Sequence, residues 1–298
     1  MARASAFSDC HPLVNLLFFA LMLAVTMFVL HPVCLAVSLG GALACLVSLR
    51  GWRGAAESGK LVVPVALLAA LLNPAFNHRG ATILLYLPTG NPLTLESILY
   101  GLAAGAMLAA VVLWFACINA VMTSDKFVYL FGRWAPALSL VLSMALGFLP
   151  RFARQLRAVG QARRAAGRDL ARGSLPGRLR EAAAQLSILI TWSLENAVDT
   201  ADSMRSRGYG LPGRTAFSLY RLSGRDRALL LWMGLLGLWV GSVWLSGGFD
   251  SQYFPRFQAG FFSPGTAAGC LALLLLALTP VILNTWEART WTRLHSGN

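Results

Sequence analysis

Charge is what this sequence has least of. Of its 298 residues 12% are charged and 57% are hydrophobic, whereas an ordinary soluble domain carries about a quarter charged residues. So few charges cannot cover one or two soluble domains of this length. The same apolar excess excludes a disordered chain. Lysine is confined to Lys60 and Lys126, and the acids number twelve, so the net charge of +13 rests on arginine. The five cysteines (Cys10, Cys34, Cys45, Cys117, Cys270) form no CxxC, and four lie within apolar runs. They read as small buried hydrophobes. The histidines (His11, His31, His78, His295) give neither an i,i+4 pair nor HExxH, so no metal site is expected. No GxSxG and no nucleophile–base–acid set occurs, so no catalytic residue is assigned. With a mean hydropathy of +0.62, the chain reads as a polytopic membrane protein.

Six runs are apolar enough to span, at about 12–30, 33–49, 61–75, 95–121, 228–246 and 267–286. The first reads as a retained span rather than a signal peptide, because no small-residue cleavage site follows it. A seventh run, 127–149, carries Arg133 and Pro136. Basic loops stay in the cytoplasm. The 50–60 loop (Arg50, Arg53, Lys60), the tail (Arg289, Arg293) and the segment 151–227 all belong inside on that rule. The last of these holds fifteen arginines against six acidic residues. Six spans with both termini cytoplasmic satisfy all three. The loops 76–94 and 247–266 then lie outside, and 127–149 lies along or re-enters the membrane.

The segment 151–227 predicts two long amphipathic helices. In the first, Phe152, Leu156, Val159, Ala162, Ala166 and Leu170 recur at steps of three or four, with arginines largely on the other faces. Gly173, Pro176 and Gly177 break it. The second, about 178–207, places Leu179, Ala183, Leu186, Ile190, Leu194, Ala197, Ala201 and Met204 on one face. Its all-apolar centre is about nine residues, roughly 13 Å, too short to span. It must pack against protein or lie in the interface. Gly208 reads as the residue just past the helix end, and Pro212 cannot continue it.

Other features have plainer readings. Gly54 to Lys60 fits GxxxxGK, but Leu61 stands where a phosphate-binding loop needs Ser or Thr. Glu195, Asp199 and Asp202 share a helix face and are expected to pair with Arg205 and Arg207. Trp232, Trp239 and Trp244 read as lipid-facing or helix-packing. The aromatics do not interleave with the arginines as on a nucleic-acid surface, so no nucleic-acid partner is expected.

Ser203-Met204-Arg205-Ser206-Arg207-Gly208-Tyr209-Gly210 resembles the second coupling motif of the transmembrane (T) component of energy-coupling-factor (ECF) transporters. That family serves cobalt and vitamin uptake. The stretch 145–167, ALGFLPRFARQLRAVGQARRAAG, resembles its first coupling region, about forty residues upstream. The likeness covers roughly 90–212. It implies an all-α polytopic membrane protein with about six spans plus two long amphipathic cytoplasmic coupling helices. The divisions are N-terminal membrane helices (1–126), a re-entrant or interfacial helix (127–149), coupling helices (150–214), and C-terminal membrane helices with a basic tail (215–298). It implies ATPase docking by Ser206, Arg207, Gly208, Tyr209 and Gly210. At the divergent first motif the docking set is Arg163, Arg164, Ala165, Ala166, Gly167 and Arg168, with Ala166 in the family's arginine position. Ala182, Ala183, Leu186 and Ile190 would pack on a substrate subunit.

The implied protein is a non-catalytic scaffold in the bacterial plasma (inner) membrane. Its partners are two ABC-type ATPases, a small substrate-binding membrane subunit and lipid. It binds no cofactor itself, ATP and Mg being held by the ATPases. Two alternatives remain: a conventional ABC permease subunit, against which the scarcity of polar residues in the spans counts, and an intramembrane enzyme using the acids at 195–202.

Overall fold

Long apolar stretches without internal glycine–proline clusters become helices because lipid offers the backbone no other hydrogen-bond partner. A computed structural model describes residues 5–77, 79–86, 92–168, 174–211, 220–256, 258–259 and 263–296. The elements are α1 (Pro12–Phe28), α2 (Pro32–Phe76), β1 (Ile83–Tyr86), β2 (Pro92–Thr94), α3 (Leu95–Val121), α4 (Ser124–Trp134), α5 (Pro136–Ala165), α6 (Leu175–Ser206), α7 (Gly224–Leu245), β3 (Ser251–Gln252), β4 (Gln258–Ala259) and α8 (Pro264–Ser296). Five of the helices are long and apolar enough to cross a membrane: α2, α3, α5, α7 and α8. The all-α polytopic expectation holds. The chain divides into two units, residues 1–123 with 220–298, and residues 124–219.

In the first unit, α2 counts as two spans. Its 45 residues would rise about 68 Å, twice a bilayer core. Gly51 breaks it with φ 72° and ψ 175°, a conformation essentially reserved for glycine. Packing against α3 shows that the chain reverses there. Trp114 donates its indole N–H to Ser38 Oγ at 3.0 Å, and Cys117 Sγ donates to the Ala42 carbonyl at 3.7 Å. The first half of α2 therefore runs parallel to α3. A Cβ on Gly101 would meet the Ala70 carbonyl oxygen at 2.6 Å, and one on Gly105 the Ala66 carbonyl at 2.7 Å, so the second half runs antiparallel. The spans expected at 33–49 and 61–75 are both present. The loop expected at 50–60 is not: it is helical apart from Gly51. Its charges suggested a loop, but Ala55, Ala56 and Glu57 are good helix formers.

The first half of α2 packs parallel to α8 in a seam with a seven-residue repeat. Cys34 meets Cys270, with the sulfurs 3.6 Å apart. Gly41 meets Ala277, and Ser48 Oγ accepts from Asn284 Nδ2 at 2.8 Å. α1 closes the bundle. Phe7, Phe18, Phe19 and Trp114 interlock edge-to-face at centroid distances of 5.2–6.3 Å. At one end, β1 and β2 pair antiparallel, as do β3 and β4. The Ala81 amide donates to the Pro255 carbonyl at 3.0 Å, tying the two hairpin regions together. On α7, Trp232, Trp239 and Trp244 face outward.

In the second unit, the run 127–149 is divided. Ala135 is pulled out of helical geometry (φ −140°, ψ 80°) by the proline that follows it. α5 then continues past Pro150 to Ala165 without a break. α4 folds back on α5, with Ser139 Oγ donating to the Val128 carbonyl at 3.0 Å. α5 and α6 run antiparallel, with Phe148 against Trp192 at 5.6 Å and Arg163 paired with Glu181. Gly173 and Pro212, read from the sequence as breakers, lie outside the described residues.

Candidate functional site

Both long helices of the second unit stop in the same way. A helix leaves its last carbonyls without partners, and a left-handed residue just past the end lets two amides turn back to cap them. At the end of α6, Arg207 caps the helix (φ −85°, ψ 7°) and Gly208 turns left-handed at φ 78°. The Gly208 amide donates to the Arg205 carbonyl at 3.0 Å, and the Tyr209 amide donates to Met204 at 3.0 Å. At the end of α5, Ala166 takes the same place (φ −80°, ψ 11°) and Gly167 turns at φ 75°. The Gly167 amide donates to Arg164 at 3.0 Å, and Arg168 donates to Arg163 at 2.9 Å. Two nested bonds of this kind are a Schellman termination.

The shared backbone fixes the correspondence of side chains. Ala166 stands where Arg207 stands, Ala165 where Ser206 does, Arg164 where Arg205 does, Arg163 where Met204 does and Arg168 where Tyr209 does. The sequence offset that put Ala166 in the arginine position is thus also the structural one.

The two ends differ in what their cations touch. Arg163 pairs with Glu181 on α6, and its hydrogen bond holds the Glu181 carboxyl below the usual carboxylate range. It is therefore spent on joining the helices. Arg164 and Arg168 are exposed, as are Arg207, Tyr209 and Gly210. Glu195, Asp199 and Asp202 are exposed as well. No ion pair among the described residues joins them to Arg205 or Arg207, so the expected local pairing is absent and Arg207 keeps its charge toward solvent. Because α5 and α6 are antiparallel, their C-terminal ends point apart. Arg163 lies level with Glu181, and Arg207 is 26 residues further along α6, about 39 Å at 1.5 Å per residue.

α6 uses one face on α5 and leaves the other open. Gln185 and Leu189 are buried. Ala182 and Ala183 are exposed, with Leu186 at 54% and Ile190 at 50% exposure. The four residues expected to receive a partner therefore share a face that nothing in this unit covers.

One grouping was not legible in the sequence. His31, Cys34 and Cys270 bring one ligand atom each to within 4.8 Å of one another. His31 and Cys34 are three apart at the start of α2, a spacing visible in the sequence. Their third member is 236 residues away, so no local motif could reveal it.

Comparison with known proteins fits this geometry. The chain is 37% identical over 113 residues to the energy-coupling factor transporter transmembrane protein EcfT of Exiguobacterium sibiricum, covering 38% of this chain and 42% of the relative. It is 36% identical over 100 residues to the protein of the same name from Lactobacillus helveticus, covering 33% of this chain and 36% of the relative. A third, from Bacillus selenitireducens, is 34% identical over 94 residues, 31% of this chain and 35% of the relative. The matches thus span about two fifths or less of each curated relative. Residues 4–217 match the family CbiQ, described as cobalt transport protein. That match takes in both helix ends and most of the bundle, and the chain belongs to this family of membrane transport proteins.

Proposed function

We propose that the chain is the transmembrane scaffold of an ECF-type importer, coupling two ATPase subunits to a separate small substrate-binding membrane subunit. The observation that carries this reading is the pair of identically terminated helices whose ends point apart. Two separated ends suit two separate ATPases. The names of the curated relatives support the class of machine.

The chemistry follows from the ends. Arg207, one residue before a left-handed glycine, presents a planar five-donor guanidinium that can grip an acidic groove through charge-assisted bonds. Carbonyls at a helix C-terminus are electronegative, so a cation there is favoured by its own helix. The first end lacks this arginine and would dock through Arg164 and Arg168, since Arg163 is engaged with Glu181. The open face with Ala182, Ala183, Leu186 and Ile190 would seat the substrate subunit, small residues allowing close approach. Closure of the ATPases on ATP would move the helix ends, and stiff helices would carry that motion to the seated subunit. The chain itself then does no chemistry, and ATP and Mg belong to its partners. The end of the first unit that carries Arg50 and Arg53 would face the cytoplasm of a bacterial inner membrane.

Affinity purification from membranes tests this. The intact chain should retain two ATPase chains and a small hydrophobic protein. Arg207→Glu should lose ATPase retention and uptake at least about tenfold while remaining monodisperse, whereas Arg207→Lys should keep part of both. Retention of both partners by Arg207→Glu would overturn the docking role. ATPases without a small subunit would favour a conventional permease.

A further inference from the structure

We infer that His31, Cys34 and Cys270 form a binding site for a thiophilic divalent cation, Zn(II) being the physiological candidate. All three belong to the first unit. His31 precedes the first turn of α2 and is wholly buried, Cys34 lies in that turn and is 2% exposed, and Cys270 sits near the start of α8. Their ligand atoms lie within 4.8 Å of one another, and the two sulfurs are 3.6 Å apart. Zinc–sulfur bonds of about 2.3 Å and zinc–nitrogen bonds of about 2.0 Å place tetrahedral ligands roughly 3.5–3.8 Å from each other. The thiols already meet that spacing, and the imidazole has at most about 1.3 Å to close.

Two features argue for a site rather than a chance meeting. The thiol pair is the first contact of the α2–α8 seam, and the next two, Gly41 on Ala277 and Ser48 on Asn284, hold the helices in register. The ligands thus sit on rigid elements, which favours a preorganised site. The charge also balances. Binding releases one proton from each thiol to solvent, and two thiolates with a neutral imidazole cancel a divalent ion. A neutral site suits apolar surroundings, where Leu35 is buried and the Phe249 ring lies 6.3 Å from the His31 ring. Soft sulfur ligands select zinc over magnesium or calcium. Three protein ligands leave one position for water.

Cys45 and Cys117 supply an internal control, being a second pair of touching buried thiols outside the His31 cluster. The full-length chain, purified in detergent and kept reduced with a phosphine, would be titrated with Zn(II) against a chromophoric chelator. Cd(II) would serve separately as an ultraviolet probe of thiolate ligation. One saturable equivalent is expected. His31→Ala, Cys34→Ser and Cys270→Ser should each weaken it at least about tenfold, while Cys45→Ser and Cys117→Ser leave it unchanged. Because the variants could disturb folding, Zn(II) would also be tested on the unaltered chain for protection of individual cysteines from alkylation. Protection confined to Cys34 and Cys270 supports the site. Absence of saturable binding, binding that survives Cys34→Ser and Cys270→Ser, or equal protection of Cys45 and Cys117 would overturn it.

Discussion

The two units solve the burial problem in opposite ways. In the first, Phe18, Met22, Leu46, Trp114 and Leu276 have no exposed surface worth counting, and helices meet through Gly41, Gly101 and Gly105 at distances that admit no side chain. Among the described residues of the second, only Lys126, Gln185 and Leu189 are buried. Its antiparallel pair is joined by an aromatic contact and an ion pair, while Leu138, Val141, Leu149, Leu186, Ile190 and Leu194 stay uncovered. A core that is complete within the chain makes a support. A helix pair with apolar faces still open makes an element that other bodies must cover, whether lipid along α5 or protein along α6.

The comparison breaks first in the bundle. Trp114→Ala removes a fully buried ring and its hydrogen bond to Ser38, and should cost about 4 kcal/mol, read as a fall in the thermal midpoint in detergent. Gly105→Val comes next. Its Cβ would sit 2.7 Å from the Ala66 carbonyl oxygen, so α3 must back away from α2, at about 3 kcal/mol. On the open face of α6, Leu186→Ser with Ile190→Ser should change the stability of the isolated chain by no more than about 0.5 kcal/mol per site. The same pair should lower recovery of the small membrane subunit sharply. A large fall in the chain's own midpoint would mean that this face is already covered within the chain.

The smallest effect concerns the tie between α5 and α6. Arg163 depresses the Glu181 pKa below its ordinary value of 4.5. A carboxylate depressed in the folded state contributes stability above its unfolded pKa and loses it as pH falls through the folded one. Spin labels placed across α5 and α6 should therefore report one distance from about pH 5 to 8. They should report loosening only in stronger acid. Glu181→Gln should remove the acid response.

Much of this was legible because lipid imposes simple rules. The spans at 95–121 and 228–246 follow from length and hydropathy alone, and the stop at Gly208 follows from a glycine after a helical period; the first amphipathic helix, expected to run on to a break at Gly173, ends instead at Ala165, capped by the left-handed Gly167. What escaped was set by single residues or distant pairs. Charges at Arg50, Arg53 and Lys60 looked like a loop, yet one left-handed glycine at 51 makes the whole turn. Pro136 divides a run whose apolar character appears continuous, because a proline restricts the residue before it more than hydropathy can show. The expected pairing of Asp199 and Asp202 with Arg205 and Arg207 rested on spacing, but the exposed side chains stay apart. Arg163 could be placed on the helix from sequence, but its partner Glu181 could not. The His31–Cys34–Cys270 grouping joins the two ends of the chain and has no local signature.

The α2–α8 seam has a consequence for how the protein is made. Its three contacts each join residues 236 positions apart, and Asn284, which holds Ser48, also accepts the Phe7 amide at 3.1 Å. None of these bonds can exist until α8 has been synthesised. The early helices must therefore wait in the bilayer, their Gly41 and Ser48 surfaces unmatched, through the synthesis of everything between. A truncation before residue 270 would leave a permanently unclosed intermediate, the species a membrane quality-control protease would meet first.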